Sequence, residues 1–163
     1  MAYSFASHIA ATVALRWRHA RARHSFICKR APGRTIRHHH LNELIARALS
    51  TTSIPNTKGP QSLCRSDGKR PDGLTLVPWQ SGKPLIWEVT VVCPLAESYV
   101  ALAAREPSAT AEMAASNKTA KYAGLTTDYH FQSIAVESLG PANESAVHFL
   151  TTLGKKIAQQ TGD

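Results

Sequence analysis

Acidic residues are missing from the first quarter of the chain, and Glu43 is the earliest. Ahead of it stand Arg16, Arg18, Arg21, Arg23, Lys29, Arg30, Arg34 and Arg37, eight positive charges without a negative one. From Glu43 onward 11 basic residues balance 11 acidic ones, so the net charge of +8 belongs to the N-terminal arm. A basic arm on a near-neutral body suits contact with phosphates, which attract Lys and Arg whatever their sequence. Cysteine is scarce. Cys28, Cys64 and Cys93 are odd in number and far apart, which argues against a disulfide framework and for a reducing compartment. No Cys-x2-Cys pair occurs, so the close ligand pairs of a zinc finger are lacking, and zinc is not expected even with His38, His39 and His40 in a row. Aromatic residues make up only 7% of the chain, too few to favour single-strand binding by base stacking. No apolar run reaches the roughly 18 residues of a bilayer span, and no membrane partner is expected. A glycine-rich phosphate loop, a serine nucleophile elbow and a dinucleotide fingerprint are all absent.

What is present fits one domain. A chain of 163 residues, 43% hydrophobic, buries roughly 68–70% of its unfolded surface without needing a disulfide or metal. The pattern divides it into a basic, poorly ordered arm over residues 1–36 and a folded domain over 37–163. The apolar stretch Met1 to Leu15 precedes its arginines, the reverse of a secretory signal. A mitochondrial transit peptide is the alternative to a plain leader, beside nuclear or cytoplasmic placement.

Leu41, Leu44, Ile45, Ala48 and Leu49 recur at helical spacing and predict a helix from about His38 to Ser50. The stretch after it reads as a loop, with a short extended piece at Gln61 to Arg65. Leu74 to Trp79 and Pro84 to Pro94 read as two strands of a hairpin about a glycine-containing turn. Leu95 to Arg105 has helical character. Ser108 to Tyr122 predicts a helix with Ser108 as N-cap and Gly124 as its stop. Tyr129 to Ser138 reads as a strand, and Asn143 to Gln160 as a helix capped by Asn143, with Val147, Leu150, Leu153, Gly154 and Ile157 along one side. The succession is α-β-β-β-α-β, an α/β class with a mixed sheet flanked by helices. Trp79, Trp87 and Cys93 read as core.

Three patches could carry chemistry. Glu88 is a lone carboxylate within the apolar strand IWEVTVV, costly to bury unless something pairs with it. A divalent cation could do so, and Asp72, at the start of the neighbouring strand, could share it. Two carboxylates with water and a phosphate oxygen make a site that Mg2+ accepts. Lys118 and Lys121, late in the middle helix, could spread developing charge. Each patch has an ordinary reading as well. Pro71-Asp72-Gly73 is a turn signature, a strand carboxylate can face solvent to discourage edge pairing, and two lysines at i and i+3 can be a solvated helix face.

RPDG, then WEVTV, then KTAKYAGL, within the wider text from RHHHLNELIARAL to CPLAESY, resembles the restriction-like PD-(D/E)xK endonuclease domain found behind reverse transcriptase in non-LTR retrotransposons. The resemblance spans about Cys28 to Asp163. It implies a restriction-endonuclease-like core and a DNA endonuclease dependent on Mg2+ or Mn2+, with DNA and the element's own RNA as partners. Asp72 and Glu88 would hold metal, and Glu43 on the first helix could add a third carboxylate. Lys121, or in second place Lys118, would be the catalytic lysine, and Tyr122 a packing or positioning residue. Lys69, Arg70, Arg34 and Arg37 would contact nucleic acid. The chain departs from the pattern at Thr90, where the motif lysine should stand two residues after the strand carboxylate, and at position 88, where most relatives carry Asp. Those departures keep two other readings in play, a non-catalytic nucleic-acid-binding remnant and a recruited interaction protein. The chain is too short to hold a polymerase beside the nuclease.

Overall fold

The structure, a computed structural model, describes residues 32–138 and 140–162. Cys28, the segment from Met1 to Leu15 and most of the basic arm lie outside the described residues. Helix α1 runs Pro32–Thr51, strand β1 Asn56–Lys58, β2 Gly73–Gln80 and β3 Lys83–Val92. A one-turn helix α2 (Val100–Ala103), then α3 (Ala109–Lys121), β4 (His130–Glu137) and α4 (Glu144–Thr161) complete the order. Short 3-10 turns occupy Gln61–Leu63 and Ala123–Leu125. The sheet order is β1-β2-β3-β4. β1 with β2 and β2 with β3 run antiparallel, while β3 and β4 run parallel. The class is therefore α/β with a mixed four-stranded sheet flanked by helices, as the sequence implied. No helix among the described residues is long and apolar enough to cross a membrane.

Strand alternation puts Leu85, Trp87, Val89 and Val91 on one face of β3. There they pack with Leu41, Ile45 and Leu49 of α1, Ile134 and Val136 of β4, and Phe149, Leu150 and Leu153 of α4. The opposite face carries Ile86, Glu88, Thr90 and Val92. Val92, with Ala135 of β4, packs against Ala111, Ala114 and Ala115 of α3. Alanines let α3 sit close to the sheet with little side-chain bulk, and the packed ones, Ala111, Ala114 and Ala115, all precede Lys118. The β2–β3 turn is Ser81-Gly82, both at positive φ (49° and 74°), the backbone of a two-residue hairpin turn that twists with its strands.

Several expectations are corrected. Among the described residues helix α1 already runs from Pro32, ahead of the start expected at about His38. β1 forms in the stretch read as a loop, and the extended piece expected at Gln61 to Arg65 is instead a 3-10 turn. Of the expected helix Leu95 to Arg105 only one turn, Val100–Ala103, is α-helical. Ser108 precedes α3 at φ 66° and makes no capping bond; its hydroxyl donates to Pro107 O instead. Asn143 does precede α4, but its Oδ1 accepts from Ala135 N at 2.9 Å, pinning the helix start to β4. Val147 is exposed, the core side of α4 being Ala146, Phe149, Leu150, Leu153 and Gly154. Trp87 is fully buried; Trp79 is only half-buried, against Phe149 and under Lys156. Cys93 is half-buried and Cys64 exposed, both free thiols.

Candidate active site at the fork of β2 and β3

β2 and β3 pair from the hairpin turn back to Gly73 and Trp87, where the ladder ends. Beyond that point β3 continues without β2 beside it, and Asp72 takes over the role of the ladder. Its backbone N donates to Trp87 O at 3.0 Å, and its carboxylate Oδ2 accepts from Val89 N at 2.7 Å. A side chain thus satisfies a strand donor that would otherwise be unpaired at the fork. The Asp72 carbonyl is held from two sides, by Gly59 N at 2.9 Å and by Asn42 Nδ2 at 3.3 Å. Asn42 in turn accepts from the Trp87 indole Nε1 at 2.8 Å. Asp72 is consequently fixed by α1, β1 and β3 together.

Glu88 follows immediately on the α3 side of β3. It is 5% exposed. Its Oε1 accepts from Lys118 Nζ at 2.5 Å, an ion pair reaching down from α3. Its Oε2 is buried and has no close hydrogen-bond partner among the described residues, although the Tyr122 phenol is near enough to the carboxylate for a hydrogen bond to it to raise the phenol's own pKa. Burial pushes the Glu88 carboxyl above its ordinary range, and the negative charge of Asp72 pushes it further, against the pull of Lys118. On the same face the Thr90 and Ser133 hydroxyls are also buried without partners among the described residues, and Ser133 sits directly opposite Glu88 in the β3–β4 register.

Of the two lysines, Lys118 contacts Glu88. Lys121 donates to the Tyr122 hydroxyl at 2.9 Å and stands 4.5 Å from the centre of that ring. Burial holds the Lys121 amine below the usual lysine range, opposed by Glu88. Tyr122 is 1% exposed and its phenol is driven far above its ordinary value, first by burial, then by the Glu88 charge and by a hydrogen bond to the Glu88 carboxylate. It stays a protonated packing residue against Phe131. Arg65 donates to Lys121 O and lies over the Tyr122 ring, tying the loop before β2 to the end of α3.

Glu43 lines the same cleft as Asp72 but is engaged by Lys58 and by Arg47. Hydrogen bonds from Lys58 and Arg47 hold its carboxyl below the usual range. Arg70 borders that cleft and is exposed, as is Lys69. Arg37 is buried within α1, whereas Arg34 lies in α1 with its side chain outside the described set.

The structure adds His38 to this site through a pairing with Asp72 that sequence reasoning did not give. Its Nε2 lies 3.0 Å from Asp72 Oδ2. A carboxylate can only accept, so Nε2–H is the donor. That hydrogen bond holds the imidazole pKa above its ordinary value, against the effect of burial. His38 lines two clefts, one of about 350 Å3 with Asn42, Lys58, Arg70 and Asp72, the other of about 150 Å3 with Val89, Thr90, Val91 and Lys118. A signal existed in the sequence: His38 and Asn42, at i and i+4, fall on one face of α1 and adjoin its apolar stripe at Leu41 and Ile45.

Asp72 and Glu88 thus stand on either side of the fork with Lys118 and His38 leaning in from α3 and α1. Among the described residues no three His, Cys, Asp or Glu side chains form a ready ligand cluster. Mg2+ is commonly held by one or two carboxylates and completed by water and phosphate, and the carboxylates here that could serve it are Asp72 and Glu88. No family model and no curated protein matches the chain.

Proposed function

We propose that the chain is a Mg2+- or Mn2+-dependent DNA endonuclease module with a restriction-endonuclease-like core, derived from a non-LTR retrotransposon, where nicking of target DNA supplies a 3′ end for reverse transcription. The observation that carries it is Glu88: a carboxylate buried at 5% exposure, one oxygen on Lys118 and the other without a partner, beside Asp72 at a strand fork. The α-β-β-β-α-β order and mixed sheet agree with such a core. A cation held by Asp72 and Glu88 would activate water and offset charge on the phosphate under attack. The chain's own groups do the rest. Lys118 Nζ, already at the carboxylate, spreads negative charge building on the phosphate. Arg70, Lys69 and Lys58 offer cations to the flanking backbone, and the basic arm before Glu43 adds non-specific attraction. Lys121 supports the site through Tyr122 and reaches it electrostatically. Thr90, standing where the motif lysine would be, favours the second reading, a DNA-binding remnant without catalysis.

A plasmid-nicking assay separates the two. The wild type should nick in Mg2+ or Mn2+ and not in chelator. Asp72→Ala and Lys118→Ala should each lose at least about a hundredfold in rate, the scale of removing one transition-state donor, with duplex binding retained. Lys121→Ala should lose less. A wild type that never nicks leaves the binding reading alone. Duplex affinity should fall steeply with salt, each neutralised phosphate adding about −0.9 to the log–log slope. A flat salt response removes DNA as the partner.

A further inference from the structure

We propose that His38 is a substrate-binding residue of this site, held on Asp72 until a divalent cation takes that carboxylate, then turned to the phosphate beside it. The inference rests on the reading above and adds a residue and an order of assembly to it. Asp72 Oδ2 accepts two donors, Val89 N at 2.7 Å and His38 Nε2 at 3.0 Å, which uses both of its lone pairs. A cation that joins this oxygen must displace one of them. Val89 N belongs to the backbone of β3 and cannot leave without bending the strand. His38 is a side chain, about one-third exposed, and it can turn about its own torsions. Both places it can turn to are cationic. The larger cleft has Lys58 and Arg70 in its walls and the smaller has Lys118. The Glu43 carboxylate in the larger cleft is already held by Lys58 and Arg47, and the smaller cleft offers only the neutral Thr90 hydroxyl beside Lys118, so the charged acceptor a released imidazole gains is an entering anion, and a DNA phosphate has the oxygens to accept from Nε2–H.

The consequence is coupling. Cation binding frees His38 for phosphate, and phosphate keeps His38 away from Asp72, so each ligand raises the affinity for the other. A fixed support for Asp72 gives no such coupling, since metal would then use the other carboxylate oxygen and lose affinity without the histidine.

The test measures binding rather than cutting, on the full chain. Mn2+ is titrated calorimetrically into the wild type, His38→Ala, His38→Gln and Asp72→Asn without DNA. Duplex affinity is then measured in Ca2+. His38→Ala should bind Mn2+ about three- to tenfold tighter, the scale of one hydrogen bond no longer in competition, and should bind duplex several-fold more weakly. His38→Gln, which keeps a donor, should bind Mn2+ as the wild type does. Unchanged or weaker Mn2+ binding by His38→Ala overturns the inference and makes His38 a support, and unchanged duplex affinity overturns its phosphate half. A wild type that binds no Mn2+, or binding that survives in Asp72→Asn, sinks the proposed metal site and this inference with it.

Discussion

Lys118→Met should cost about 3 kcal/mol of folding stability at neutral pH. The figure sits at the low side for breaking a buried ion pair, because the Lys118 side chain keeps 29% of its exposure while Glu88 keeps 7%. The cost comes from what is left behind, a carboxylate under α3 whose Oε2 already lacks a partner. The pH dependence follows from the sign of the Glu88 shift. Burial and the Asp72 charge raise its folded-state pKa above the ordinary carboxylate value, and Lys118 opposes them. A group raised in this way contributes stability fully below its unfolded pKa and loses it as pH climbs through the folded value. Removing Lys118 removes the opposing pull and lifts the folded pKa further. Wild type and variant should therefore be close in stability at acid pH and diverge as pH rises toward neutrality. Urea denaturation at a series of pH values measures this. The double variant Lys118→Met/Glu88→Gln should recover most of the loss, since a neutral amide has no charge to strand. A double variant no more stable than the single one would mean that Lys118 stabilises by packing, and that the buried charge at Glu88 is not what its ion pair serves.

The same residues show how far the sequence reached. The class was legible because its signals were strong and local: β-branched runs bounded by Pro84 and Pro94, an alanine-rich helix, a Ser-Gly turn. Glu88 was legible as a site residue because a charge inside IWEVTVV conflicts with its surroundings, and conflict of that kind marks function more often than chance does. Less was legible where tertiary contact decides. β1 is three residues long and exists because β2 offers it an edge, a fact with no imprint on Asn56–Lys58. Which of two lysines at i and i+3 reaches Glu88 depends on how α3 is rotated over the sheet, and Lys118 is the one the packing of Ala111, Ala114 and Ala115 turns inward. His38 lay within a run of three histidines, and only its i, i+4 spacing to Asn42 set it apart. Its partner is 34 residues away, and only the approach of α1 to the fork brings the two together.

Gly73→Ala should unfold the site and much of the domain with it. The backbone of Gly73 is pressed against the indole of Trp87. A methyl group there would sit 1.9 Å from Cζ2, 2.2 Å from Cε2 and 2.3 Å from Cη2, far inside van der Waals contact. Trp87 cannot retreat. It is fully buried among α1, β4 and α4 residues, and its Nε1 is committed to Asn42. Overpacking typically costs 1–3 kcal/mol when neighbours can give, and here the neighbour is a large ring at the centre of the core, so a loss above about 3 kcal/mol is expected. Gly124→Ala is the matched control: its backbone is not left-handed and its added methyl meets nothing within 4 Å. It should be neutral or slightly stabilising, by up to about 1 kcal/mol. Thermal melts of the two variants make the comparison. Function should fail along with stability, because Asp72 is the next residue and its backbone N bonds to Trp87 O. Any shift that relieves the clash moves the carboxylate at the fork. Trp87→Phe combined with Gly73→Ala should be more stable than the two separate losses summed, since a smaller ring yields the space the methyl needs. Strict additivity in that cycle, or a Gly73→Ala protein as stable as the wild type, would show that β2 and β3 are not packed through this contact.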